Sequence, residues 1–207
     1  MITMRIEKAI KSIHAVPKRW VRVAQVRYMP NRLELFLTIH EERPGRPKVD
    51  AWTIFCVGVR ETHVTDFDGG GLALHKSTHP AGRQYTARRA VLRWDSRGDT
   101  VTMLGALYRA HVDIADDWIA FDRYAFGPWT RPALTKNKLV LRGPDFLMRA
   151  YAKALHANGE SPRLRIQPRR KRKPGALRTL HFGGSFVVAA QFTAEHSSQA
   201  RSNKVVT

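Results

Sequence analysis

The sequence predicts an α+β fold: a mainly antiparallel sheet of six to eight strands with two principal helices packed on one face. Three observations lead there. Leu33, Leu35, Leu37 and Ile39 occupy every second position, the period of a strand buried on one side. Leu147, Ala150, Tyr151, Ala154 and Leu155 recur at spacings of three and four, the period of an amphipathic helix. Between Trp20 and Trp94 the strand-like runs follow one another across turns, as in a meander of antiparallel strands.

Taken in order, residues 4–14 set Ile6, Ile10 and Ile13 on one helical face, with Arg5, Lys8 and Lys11 elsewhere, and Pro17 follows. Trp20–Tyr28 and Leu33–His40 read as strands separated by Met29-Pro30-Asn31. The prolines and glycine of residues 41–48 cannot continue a ladder, so that stretch is a loop. Ala51–Arg60 is almost continuously apolar and reads as a central strand buried on both faces. His63–Phe67 adds a short strand before Gly69, Gly70 and Gly71. Thr86–Trp94 carries arginine on one parity and Ala90, Leu92 and Trp94 on the other.

A helix is expected from about Asp99 to Asp113, with Val101, Leu104, Leu107, Tyr108 and His111 at helical spacing. The aromatic segment Trp118–Trp129 carries no regular period. Lys138–Arg142 is a strand. The second principal helix opens at Pro144, which suits a first helical position, and stops at Asn158-Gly159. Leu164–Ile166 and Phe186–Phe192 are further strands flanking a basic loop, 168–175. One domain over 1–195 is expected, with 196–207 as a disordered tail.

Charge is the strongest functional signal. The net charge is +19, of which residues 163–178 carry +8 and residues 1–32 carry +7. Such an excess favours a polyanionic partner, because Lys and Arg gain most where they displace counterions from phosphates. If the basic blocks 1–32, 83–97 and 163–178 share a face, they form a patch. The run Arg169, Arg170, Lys171, Arg172, Lys173 is accordingly the candidate nucleic-acid-binding loop of a non-enzymatic, cytoplasmic protein.

Two other readings stand beside it. His63, Asp66, Asp68, His75 and His79 offer oxygen and imidazole ligands within a short stretch, enough for a metal-dependent enzyme if they converge. Their spacing matches no known metal motif, and the aspartates also suit a turn before glycines. The second is a protein-interaction module that presents its basic surface to an acidic protein. No Walker loop or GxSxG elbow is present, so no cofactor or metal is assigned. His111 reads as a core histidine bonded to a neighbour. Within the acidic island Asp113, Asp116, Asp117 and Asp122, the first three read as ordinary ion-pair partners for Arg109 or Arg123, and Trp118, Phe121, Tyr124, Phe126 and Trp129 read as packing rather than base-stacking. Cys56, the only cysteine, lies in an apolar strand and reads as packing; no apolar run is long enough to span a membrane.

Overall fold

The structure is a computed structural model, and it describes residues 3–15, 19–41, 48–65, 68–69, 71–95, 99–125, 138–168 and 176–197. The chain forms two compact units. The first is built from both ends of the sequence, residues 1–79 and 175–207, and the second from 80–174. The expectation of one domain over 1–195 does not anticipate this division, because composition hardly changes at the crossings, His79–Pro80 and Pro174–Gly175.

In the first unit, β1 (Thr3–Arg5), β2 (Arg19–Met29), β3 (Arg32–Glu41), β4 (Lys48–Val57), β6 (Asp68–Gly69) and β13 (Gln191–Ser197) form a six-stranded sheet in the order β1-β13-β4-β3-β2-β6. A second sheet of four strands runs β5 (Glu61–His63), β12 (Ser185–Ala189), β11 (Arg178–Phe182), β7 (Leu72–His75). All these pairings are antiparallel.

The alternation of β3 works as its sequence implies, with Leu33, Leu35, Leu37 and Ile39 buried. They share a core with Ile6, Ala9 and Ile13 of helix α1 (Ile6–His14) and with Leu180, Phe182 and Val187 of the second sheet. In β2 the register slips between Val23 and Gln25. The extra residue at the bulge restores inward phase for Val26. Strand β4 is half-buried rather than buried twice: Trp52, Ile54 and Cys56 face the core, while Val57 is exposed. Burial holds the Cys56 thiol well above its ordinary pKa, as fits a packing role.

The second unit has its own core. Strands β8 (Arg89–Asp95), β9 (Lys138–Pro144) and β10 (Arg163–Ile166) form an antiparallel sheet in the order β10-β8-β9. The long helix α5 (Asp145–Ala157) lies across all three strands, and α3 (Thr100–Ala115) packs on α5. Two short helices, α2 (Pro80–Thr86) and α4 (Asp122–Ala125), complete it. Leu92, Leu107, Leu141, Leu147, Tyr151 and Leu155 are fully buried or nearly so.

Asp99 is the N-cap of α3, its carboxylate accepting from Thr102 N and Thr102 Oγ1, both at 2.8 Å. Asp116, at φ 46°, ends that helix in a left-handed conformation, and Gly159, at φ 79°, follows α5.

The α+β class and the antiparallel pairing hold. The single sheet of six to eight strands does not, since the strands are divided among three sheets. The two principal helices belong to the smallest of these, and only α5 lies directly on strands. One cause is visible at Ala190: the expected strand Phe186–Phe192 breaks there into β12 and β13, which join different sheets. No helix among the described residues is long and apolar enough to cross a membrane.

Candidate nucleic-acid interface

Pairing in the β10-β8-β9 sheet decides where its arginines go. On β8, Ala90, Leu92 and Trp94 turn to the helices, which leaves Arg89, Val91, Arg93 and Asp95 on the opposite face. Arg142 and Val140 share that face on β9, and Arg163 and Arg165 on β10. Register then makes two cross-strand rows. One reads Arg163, Arg93, Val140, and the next Arg165, Val91, Arg142. Four exposed arginines thus surround two valines on one open sheet face.

Arg93 and Arg163 stand directly opposite each other, which puts their Cβ atoms about 4.5–5.5 Å apart and sets like charges side by side. Neither of them, nor Arg165, forms an ion pair among the described residues. A protein gains nothing in stability from such a row, whereas an anion lying across it would offset the repulsion.

These side chains line a cavity of about 780 Å³ together with Trp94, Asp95, Glu160 and Ser161. The volume falls within the range of small-ligand sites. Asp95 and Glu160 are its acids, so cations outnumber acids there by two.

The loop chosen from sequence, Arg169, Arg170, Lys171, Arg172 and Lys173, lies outside the described residues. It follows β10 closely along the chain, three residues after Ile166. The sheet arginines were half-visible in the sequence as the parity of residues 89–93. What it could not show is that β10 pairs with β8.

The histidine–aspartate set does not come together as drawn. His63 is on β5 and His75 on β7, the two edges of the four-stranded sheet, about 14 Å apart at three strand spacings. The His63 ring instead stacks on Phe186. Asp68 pairs in the other sheet, opposite Arg22, and Asp66 lies outside the described residues. Among the described residues no group of three His, Cys, Asp or Glu side chains is placed to hold a metal ion.

A different grouping forms, one the sequence reading missed. His75 lies 4.3 Å from His79 and 5.9 Å from His181, between ring centroids. His181 enters because β11 pairs with β7, a long-range contact that no local spacing signals. Desolvation, then the neighbouring imidazoles, lower the pKa of His79 to about 4; His75 is lowered too, by burial and by His181. Both groups are depressed, so the unfolded chain binds protons that the folded chain refuses between pH 6.5 and about 4. Their contribution to stability is therefore full above pH 6.5 and declines as pH falls. Melting temperature should drop between about pH 6.5 and 5, and His79→Gln should flatten that drop. Equal slopes for both proteins would refute the assignment.

No protein-family model, no curated protein and no solved structure matches the chain.

Proposed function

We propose that the chain is a non-enzymatic, intracellular protein that binds nucleic acid through the arginine face of β10-β8-β9, with the basic run 169–173 extending the grip. One observation carries the reading: Arg93, Arg142, Arg163 and Arg165 share an exposed face, and two of them are directly opposed with no carboxylate between them. Arginine suits this role because its planar fork can donate twice to a phosphate and stays charged. Contacts of this kind fix position and supply affinity without reading sequence. The +19 net charge would draw a polyanion toward any cationic face.

Binding of labelled duplex and single-stranded oligonucleotides to the intact chain tests the reading. The logarithm of the association constant should fall linearly with the logarithm of salt, by roughly 0.9 per phosphate neutralised on a duplex and about 0.7 on a single strand. Salt-insensitive binding, or co-purification with a stoichiometric acidic protein instead of nuclease-sensitive material, would favour the interaction-module reading.

A further inference from the structure

The two arginine rows differ, and the face around them has two unlike ends. In one row Arg163 and Arg93 are direct cross-strand neighbours, while in the other Val91 stands between Arg165 and Arg142. Two strand spacings therefore separate Arg165 from Arg142, about 10 Å, against about 5 Å between the Cβ atoms of the opposed pair. Beyond that pair the face turns acidic. Because β8 and β10 are antiparallel, the step from Arg93 on to Asp95 runs the same way as the step from Arg163 back to Ser161 and Glu160. Asp95 is exposed, and Asp95 and Glu160 both line the cavity. In the other direction the face carries Arg165 and Arg142, then Arg89, whose carbonyl accepts from the Gln167 N–H. A polyanion laid along the rows is thus attracted from the Arg89 side and repelled past Arg93.

We propose that the Arg93–Arg163 pair holds the terminal phosphate of a nucleic-acid strand, with the strand leaving over Arg165 and Arg142 toward Arg89. The inference rests on the reading of the arginine face as a phosphate site and names the strand end as its ligand. A terminal phosphate carries a charge of about −1.5 to −2 near pH 7 and three strong acceptor oxygens. An internal phosphate carries a single charge. Two adjacent guanidinium groups, each able to donate twice, match the terminal group better. A strand that continued past them would bring its next phosphate toward Asp95.

The experiment titrates the intact protein with short single-stranded oligonucleotides of one sequence that carry a 5′-phosphate, a 3′-phosphate or hydroxyls at both ends, and with inorganic phosphate. At least one phosphorylated form should bind about tenfold tighter than the hydroxyl form, the gain expected of charge-assisted hydrogen bonds. That preference should shrink below about pH 6, where the terminal phosphate takes up a proton. Arg93→Gln and Arg163→Gln, both at exposed positions, should each remove it. Asp95→Asn should narrow it from the other side, by raising affinity for the hydroxyl form. Equal affinities for the three oligonucleotides, with binding that stays salt-steep and weakens in Arg163→Gln, would overturn the strand-end site and leave the phosphate face standing. Inorganic phosphate bound as tightly as the phosphorylated oligonucleotides would also overturn it, in favour of a free-anion site. Oligonucleotide affinity indifferent to both salt and Arg163→Gln would overturn the strand-end site and the phosphate face together.

Discussion

Replacing three sheet arginines at once, Arg93→Gln, Arg163→Gln and Arg165→Gln, is expected to lower affinity for duplex DNA by roughly 100-fold at about 0.1 M salt. The magnitude follows from counterion release. Each phosphate contact contributes about 0.9 to the salt slope, so three lost contacts should reduce it by two to three. The basic run 169–173 is intact in this variant, and on the proposed reading residual binding is expected from it. Stability should move the other way. Like charges directly opposed across strands destabilise a sheet by about 0.2–1 kcal/mol, so removing the Arg93–Arg163 repulsion should leave the melting temperature unchanged or higher. Weaker binding without loss of fold separates a ligand site from a structural one. An unchanged salt slope would place the phosphate contacts elsewhere.

The largest effect on stability is expected at His111. It sits on α3, 1% exposed, with Nε2 2.5 Å from the Ile119 carbonyl and Nδ1 2.6 Å from the Tyr151 hydroxyl of α5. A carbonyl can only accept, so Nε2 carries the proton and donates to Ile119. In the neutral ring Nδ1 then accepts from Tyr151. Burial raises the Tyr151 pKa, which keeps its hydroxyl protonated and donating. His111 therefore joins the two long helices to the turn after α3 through a fully satisfied buried network.

His111→Ala opens a cavity and strands both partners, at a cost of about 3–5 kcal/mol. Tyr151→Phe removes one bond and little volume, so about 1–2 kcal/mol is expected. Urea denaturation should show that order, and hydrogen exchange should show the loss first in α3 and α5. Equal, small costs for both variants would mean that packing alone holds this core.

His111 shows how far the sequence could be read. Its position on an apolar helical stripe implied a bonded core histidine, which is what forms. Helix α5 and strand β3 were legible for the same reason, since each satisfies one local period with one buried face. Partition into three sheets was not legible, because it depends on which strands pair across long separations. Strand β11, which had no assignment, is central to the four-stranded sheet and brings His181 to His75.

The aromatic segment was ambiguous for a different reason. Its first part forms a turn of 3₁₀ helix at Asp116–Trp118 and the short α4, too brief to show a period. Tyr124 is buried there and donates to Gln84 Oε1 at 2.9 Å, as packing rather than base-stacking requires. Phe126 and Trp129 lie outside the described residues. For the site, arginine parity along β8 was visible and its partner row on β10 was not, so the charge-dense loop outweighed the sheet.

Arginine footprinting tests the phosphate face most directly. The intact chain is treated with a dicarbonyl reagent that modifies guanidinium groups, with and without a saturating oligonucleotide, and modified sites are mapped by mass spectrometry. Arg93, Arg163 and Arg165 should be protected by the oligonucleotide, while Arg27 and Arg32 of the first unit react equally in both samples. Protection confined to residues 169–172, or shared evenly by arginines of both units, would contradict the assignment of phosphate to the β10-β8-β9 face.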